Sequence, residues 1–469
     1  MDTSTNTAAS ERSDALLPGQ PALVLVIDRA RPLSGGARHL LANIDCVTIG
    51  RGRARGAQRV VEGDRRTLRL LVSDDRVSTL HARIERHPEG WTFTDCGSTN
   101  GSRVNGRSVR SAELADGDLV EIGQTFFRHR TAVPAPFDAP GDVAADDLTG
   151  LPRAFGTLLP PLIRDLETLA RVARSDISVL LLGETGTGKE VLARALHAES
   201  GRAGPLVAVN CGALPPTLAE SLLFGHVRGA FSGATRDEPG FIREAEGGTL
   251  FLDEVGDLGP AAQTALLRVL QQREVTPIGS PRPVAVDTRV LAATHRPLEE
   301  LVAAGSFRRD LFARLSGYVH TIPNLRDRRD DLGLLVAAIL PRVAGERAAA
   351  LSLSADAVYA MMADDWPLNV RELEQRLKAG AILAADGRID KPHLWKDGAP
   401  ERRVASSPAP PPRGSHLSPE DRALSEQLIA KLDEHRGNVT HVGVAMGKSR
   451  TQIQRWLHRL AIDAERFRR

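Results

Sequence analysis

The stretch GETGTGKE, made of Gly183, Glu184, Thr185, Gly186, Thr187, Gly188, Lys189 and Glu190, follows the apolar run ISVLLLG and leads into EVLARALHAES. Glycines in such a loop let backbone N–H groups turn toward phosphate oxygens. The start of a helix adds partial positive charge, and a lysine there reaches the outer phosphates. The spacing is G-x-x-x-x-G-K, with Glu190 where Ser or Thr commonly helps to hold magnesium. Further along, GGTLFLDEV ends an apolar strand in Asp253 and Glu254. Paired carboxylates at a strand end suit a magnesium contact through water and a base that polarises an attacking water. Taken singly, the first segment could be a plain helix start and the second a solvated strand end. Their order along one chain favours nucleotide chemistry.

Soft stretches divide the 469 residues. Residues 1–20 are small and polar, a loose tail. TAVPAPFDAPGDVAADD, within 131–147, reads as an extended linker, and ERRVASSPAPPPRGSHLSP, from 401 on, as a second. The resulting boundaries are 21–130, 131–146 (linker), 147–397, 398–417 (linker) and 418–469. The first block has short β-type runs, LVLVI, TLRLLV, HARIERH, WTFTD and LVEIG, separated by turn residues, which predicts a β-sandwich. The second alternates strands with helices, which predicts an α/β parallel sheet. The third is helical with a Gly-containing break, an all-α unit.

Composition bounds the rest. Hydrophobic residues at 42% and charged residues at 26% fit soluble globular protein and exclude global disorder. A net charge of +2 argues against an extended nucleic-acid coat but leaves room for one basic module. Cys46, Cys96 and Cys211 are too few and too scattered for a disulfide scaffold or zinc ribbon, which points to a reducing compartment. No apolar run approaches a membrane span, and the N-terminus lacks the pattern of a signal peptide. The expectation is a cytoplasmic protein with no membrane contact.

The central block resembles the AAA+ ATPase domain of bacterial sigma-54-dependent transcription activators. The resemblance rests on VAVNCGALPPTLAESLLFGH, FGHVRGAFSGA, GGTLFLDEVGDL, LLRVLQQREV, FRRDLFARLS and WPLNVREL. It implies that residues 183–190 hold ATP, that Asp253 acts through Mg2+ and that Glu254 orients the water. A Glu is common in this family at the position of Glu190. Asn210 matches the residue that restrains the glutamate until a ring assembles. Arg308 and Arg314 match arginine fingers given to the neighbouring subunit, and Arg371 matches a lid arginine that senses nucleotide. Gly229, Ala230, Phe231, Ser232, Gly233 and Ala234 match the GAFTGA loop that contacts sigma-54. Four departures are visible: Ser232 for Thr, His295 for the usual sensor Asn, Leu368 for Gly and Ser316 for Asn. Ser232 keeps the hydroxyl and loses a methyl. Imidazole at 295 still donates a hydrogen bond, with a charge that depends on pH.

The first block carries TIGR, RVSTLHARI, DCGSTNGSRVNG and DGDLVEIG in that order, and resembles the forkhead-associated (FHA) domain. The resemblance implies phosphothreonine binding, with Arg51 and Ser78 on the phosphate, Asn100 on the peptide backbone, Thr99 and Arg76 assisting, and His81 propping the loop. Residues 51–66 read as a long basic loop, either extending electrostatic reach or simply solvated. The phosphothreonine partner is another protein or a segment of this chain; Thr3, Thr5 and Thr7 are candidates, though a polar tail explains them equally. No receiver domain is visible, which favours a Ser/Thr kinase input.

The last block, HRGNVTHVGVAMGKSRTQIQRWLHRLAI, reads as helix-turn-helix, with eight Lys/Arg against two Asp/Glu from 436 to 469. It resembles the Fis-type module, which implies upstream activator DNA contacts from Ser449, Arg450, Thr451, Gln452 and Arg455. A helical hairpin used for dimerisation is the plainer alternative. The combined expectation is a transcription activator whose homo-oligomeric ring, a hexamer, hydrolyses ATP with Mg2+ to remodel sigma-54 RNA polymerase holoenzyme and open the promoter. The alternatives are an AAA+ remodeller that no longer engages sigma-54 and a non-catalytic DNA-binding repressor.

Overall fold

Alternation of apolar residues builds the first domain. In the computed structural model, which describes residues 19–136, 138–395, 427, 428, 431, 432, 434, 435, 441, 442, 445 and 446, thirteen short strands form two sheets. They are β1 (Gly19–Asp28), β2 (Ala37–Leu40), β3 (Cys46–Arg51), β4 (Gly56–Glu62), β5 (Arg65–Val72), β6 (Ala82–His87), β7 (Gly90–Asp95), β8 (Ser102–Val104), β9 (Arg107–Val109), β10 (Ser111–Leu114), β11 (Leu119–Ile122), β12 (Thr125–Pro134) and β13 (Asp142–Ala144). One sheet has the order β13-β2-β1-β12-β11-β8-β9 and the other β10-β7-β6-β3-β5-β4. Leu23, Leu25, Ile49, Leu68, Ile84, Phe93 and Phe127 fill the space between them. This is the expected sandwich.

Two readings of the sequence are corrected here. Residues 51–66 are not one long loop: β4 and the start of β5 form an antiparallel hairpin that turns at Gly63, whose φ is +62°. The stretch 131–146 is not a free linker. Residues up to Pro134 continue β12 against β1, and Asp142–Ala144 adds a strand to β2. The prolines stand at the end of β12 and between the two strands, where no ladder N–H is required.

The second domain has a five-stranded parallel sheet of β14 (Val179–Leu182), β15 (Leu206–Asn210), β16 (Thr249–Asp253), β19 (Arg289–Thr294) and β20 (Tyr318–Thr321), in the order β15-β16-β19-β14-β20; β17 (Glu274–Val275) and β18 (Val284–Ala285) make a small separate hairpin. Both sheet faces are covered, so the central strands β14, β16 and β19 are mostly apolar and buried. Val179, Leu181, Phe251 and Leu291 pack with helices Pro160–Ala173 and Lys189–Glu199, while Leu180, Leu250, Leu252 and Val290 face helices Pro260–Gln272 and Arg309–Leu315. A lid follows, built on helices Leu332–Ala344, Ala355–Ala363 and Asn369–Leu383 with a two-strand pairing of β21 (Ser352–Leu353) and β22 (Arg388–Ile389).

The sandwich and the lid share one apolar core. Val24, Val26 and Phe126, on the outer face of β1 and β12, pack with Leu332, Leu335, Val336 and Trp366. This explains why Ala22 through Ile27 are all buried: both faces of β1 are covered. The chain divides into two units, 1–402 and 403–469. In the second, Leu428, Leu432 and Val442 are buried and the described residues are mainly helical. Ser449, Arg450, Thr451, Gln452 and Arg455 lie outside the described residues.

Candidate functional site

The ATPase site forms where β14, β16 and β19 end. Gly186 and Gly188 have φ of +80° and +106°, a region costly for other residues, and the phosphate loop can take its shape only with glycine there. A β-carbon on Gly188 would touch the Phe155 ring at 3.3 Å, and one on Gly186 would collide with the lid carbonyl of Leu368. Lys189 begins the helix, is buried, and donates through Nζ to the carbonyls of Gly183 (2.9 Å) and Glu184 (3.3 Å). Thr187 Oγ1 donates to Glu184 carbonyl at 2.9 Å, and Glu190 pairs with Arg194 on the exposed face.

Asp253 ends β16, and Glu254 follows in the left-handed region at φ +53°. Burial and the charge of Glu254 raise the Asp253 carboxyl above its ordinary range. Burial would raise Glu254 too. Hydrogen bonds from the ring and backbone of His295, with the charge of Lys189, outweigh it and hold that carboxyl low. The distances are 2.8 Å from His295 Nδ1, 3.2 Å from His295 N–H and 3.4 Å from Thr294 Oγ1; Lys189 Nζ lies 3.7 Å from the other oxygen. Asn210 is brought beside Asp253 by strand register, but its side chain accepts the N–H of Ala213 at 3.2 Å. The hold on Glu254 expected of Asn210 is made here by His295. Cys211 next to it is buried, and burial with these carboxylates pushes its thiol up to about 12.

Arg308 and Arg314 are both exposed at the helix Arg309–Leu315, Arg308 paired with its neighbour Asp310 at 2.7 Å. Arg371 is exposed, and its backbone N–H donates to Gly186 carbonyl at 3.3 Å. Two residues that sequence reasoning missed join lid and phosphate loop more directly. Asn369 Nδ2 donates to Glu184 carboxylate (3.2 Å) and Thr185 carbonyl (3.1 Å), and Arg326 pairs with Glu184 at 2.7 Å. Asn369 lay in the quoted run WPLNVREL; its positive φ of 56° has no signature in a single sequence.

The loop with Phe231 is an exposed turn above the bridge of His226 to Glu238. Gly229 and Gly233 have φ of +84° and +106°; Gly229 N–H donates to Ala234 carbonyl at 2.8 Å. Ala230 rests on Gly279, Ala234 is buried, and Ser232 is exposed. Phe231 is 38% exposed with its ring 5.0 Å from that of His226, so it is a surface aromatic and not a core one.

At one end of the sandwich Arg51, Arg76, Ser78, Thr99 and Asn100 come together. Arg51 N–H donates to Ser78 carbonyl (3.0 Å), Thr99 N–H to Ser78 Oγ (3.3 Å), and Asn100 Nδ2 to Arg76 carbonyl (2.8 Å). Beneath them His81 is fully buried. Its Nδ1 accepts Ser78 N–H and its Nε2 lies 3.3 Å from Gly101 carbonyl, so the neutral ring ties two loops; burial lowers its pKa.

Residues 160–320 match the sigma-54 interaction domain family, 326–409 the AAA+ ATPase lid domain family and 47–123 the FHA domain family. The chain is 44% identical over 315 residues to the hydrogenase transcriptional regulatory protein HoxA of Cupriavidus necator, a match covering 65% of this chain and 64% of HoxA. It is 40% identical over 318 residues to the transcriptional regulatory protein GlrR of Escherichia coli K12, covering 67% and 70%. Among solved structures, NtrX of Brucella abortus in complex with ADP is 32% identical, covers 64% of this chain and 68% of its own, and gives a TM-score of 0.47. The chain thus carries an FHA domain and a nucleotide-binding AAA+ ATPase domain, and spans about two thirds of HoxA and GlrR. No helix among the described residues is long and apolar enough to cross a membrane. On this coverage and identity, the chain belongs to the family of transcriptional regulators built on a sigma-54 interaction domain.

Proposed function

We propose that the protein is a cytoplasmic sigma-54-dependent activator that hydrolyses ATP to remodel sigma-54 RNA polymerase and drive promoter opening, under control of phosphothreonine binding at the FHA domain. The observation that supports it is a glycine-shaped phosphate loop with a buried Lys189 beside the His295-held Glu254, on the same domain as an exposed Phe231 loop. The glycine cradle, the buried Lys189 and the Asp253 carboxylate fit a nucleotide with Mg2+. Among the described residues no group of three or more His, Cys, Asp or Glu could hold a metal ion, so Mg2+ would arrive largely bound by phosphates, with Asp253 contacting it through water. Bound there, it would neutralise charge on the phosphoryl oxygens.

The chain's own groups do the remainder. Residues 183–190 orient the phosphates by backbone N–H and Lys189. Glu254, ionised at neutral pH, accepts a hydrogen bond from the attacking water and aligns it. His295 positions Glu254. Arg308 and Arg314 are supplied to the neighbouring subunit of a ring, a hexamer, where a guanidinium offsets charge developing on the transferred group. Arg371 couples nucleotide to lid. Gly229, Ala230, Phe231, Ser232, Gly233 and Ala234 press on sigma-54. The C-terminal unit, with Ser449, Arg450, Thr451, Gln452 and Arg455, tethers the ring to upstream activator DNA.

The test is promoter opening by purified sigma-54 RNA polymerase with and without the full chain and ATP. Glu254→Ala should bind ATP yet lose steady-state hydrolysis and opening; substantial turnover by that variant sinks its assigned role. Hydrolysis without opening by the wild-type chain would shift the remodelling target away from sigma-54, with Ser232 the suspect.

A further inference from the structure

The helix Pro160–Ala173 covers the parallel sheet with Leu162, Leu166 and Leu169. A second stripe of the same helix, Pro160, Ile163, Arg164, Glu167 and Ala170, continued by Arg174, borders a groove of about 790 Å³. The opposite wall comes from residues between 138 and 152, where Val143, Leu148 and Leu151 are buried and apolar. Arg38 closes one end. It is 2% exposed, and its guanidinium donates to the carbonyls of Leu158 (3.2 Å) and Pro140 (2.9 Å), one beside each wall. Its Nε is buried with no hydrogen-bond partner, a donor that a peptide carbonyl would satisfy. At the other end Arg174 stands 3.7 Å from Glu199. Between the ends, Arg164 and Glu167 are exposed and make no ion pair among the described residues.

The groove opens where the described chain begins. Gln20 Nε2 donates to the carbonyls of Ala135 (3.3 Å) and Pro136 (3.0 Å), and Pro136 lines the groove. Eighteen residues precede Gly19, and Met1 aside, Leu16 and Leu17 are the only large apolar side chains among them.

We propose that residues 11–17 of this chain occupy the groove, with Leu16 and Leu17 on its apolar floor. Length fits: Pro160 to Arg174 is about 21 Å along a helix axis, and seven extended residues span about 20–23 Å. Charge fits as well. A segment entering beside Pro160 brings Asp14, Arg12 and Glu11 in turn alongside Arg164, Glu167 and Arg174, so each charge meets its opposite. The tether favours this occupant over a free peptide of like chemistry, because a segment held a few residues from its site acts at an effective concentration in the millimolar range. Filling the groove braces the helix Pro160–Ala173 against the sandwich. That helix leads into β14, the strand before the phosphate loop.

The test uses the full chain with Ala15 replaced by the photo-crosslinker p-benzoylphenylalanine, and equal amounts of light and heavy isotope-labelled chain. After irradiation, peptide mapping joins position 15 to residues within 143–170, always in one isotope. Glu167→Arg, at an exposed side chain that leaves folding intact, lowers that yield by about threefold or more. Arg12→Glu in the same chain restores it, and Leu16→Asp with Leu17→Asp removes it. Crosslinks elsewhere, or none, overturn the assignment. So does a yield that ignores both the charge changes and the leucine changes. Crosslinks that join light chain to heavy chain put a second copy's segment in the groove and overturn the intramolecular assignment.

Discussion

The Glu254 carboxylate receives three donors from Thr294 and His295, from a backbone position at φ +53° that keeps the side chain aimed at the site. His295→Ala removes the shortest of those bonds. Steady-state kinetics should show kcat lower by about tenfold, the scale of one lost positioning bond, with ATP affinity within about twofold; His295→Asn should recover part of the loss. Equal losses in kcat and affinity would mean His295 is merely structural. A second histidine sets acid stability. His320 on β20 is 4% exposed, its Nε2 has no partner, and burial pushes its pKa down to about 4. Its unfolded value is about 6.5, so its contribution is fully present above that pH. As pH falls from there toward 4 the unfolded chain takes up a proton that the folded chain refuses, at a cost reaching about 3 kcal/mol. Urea midpoints at pH 7 and pH 5 should therefore differ more for the wild type than for His320→Leu. At this scale the sequence exposed every group of the phosphate loop and flagged His295 as unusual. It could not expose Asn369 and Arg326, because their meeting with Glu184 depends on how the lid folds back.

At the scale of elements, the helix Leu332–Ala344 approaches β1 so closely that a β-carbon on Gly333 would run into the carbonyl of Val26. The contact is backbone on backbone, and no rotamer change can relieve it. Gly333→Ala should lower stability by about 1–3 kcal/mol and speed hydrogen exchange along β1, despite the better helix propensity of alanine. An unchanged or raised melting temperature would show that the helix and β1 do not pack as described. The run Ala22–Ile27 carried the sign of this packing, since a strand with one face in water alternates and this one does not. The sandwich, the parallel sheet and the order of their strands' signals were legible for the same reason of periodicity. The hairpin of β4 and β5 was not, because its outer face is rich in arginine and the pattern reads as solvated loop. The strand Asp142–Ala144 was hidden by the prolines before it and by its length of three residues.

At the scale of the whole molecule, the sandwich, the lid and the phosphate loop are joined by packed groups. Arg128 and Arg130 of β12 pair with the buried Asp330 at 2.9 and 2.5 Å. The adjacent Asp331 holds Arg328 at 2.9 Å and accepts Leu158 N–H at 2.7 Å; the Arg328 guanidinium lies 4.5 Å from the Phe155 ring, which borders Gly188. Composition cut the chain near 130–146 and implied separable modules, but the cut passes through a shared core. A fragment of 147–397 therefore bares the faces of Leu332, Leu335 and Val336 and leaves Asp330 without its cations. Uncovering a leucine-sized side chain costs about 1.5–3 kcal/mol, and losing the partners of a buried carboxylate adds to it. That fragment should melt well below the 1–402 unit, bind hydrophobic dyes and aggregate, whereas 1–402 should unfold in one transition by calorimetry. Charge neutralisation separates the two contributions. Asp330→Asn in the 1–402 unit keeps the apolar contact and removes only the ion pairs, so its melting temperature should fall between those of the fragment and the intact unit. If the fragment matches the intact unit in stability, the shared core contributes nothing, and the sandwich would have to influence the ATPase by some route other than the lid.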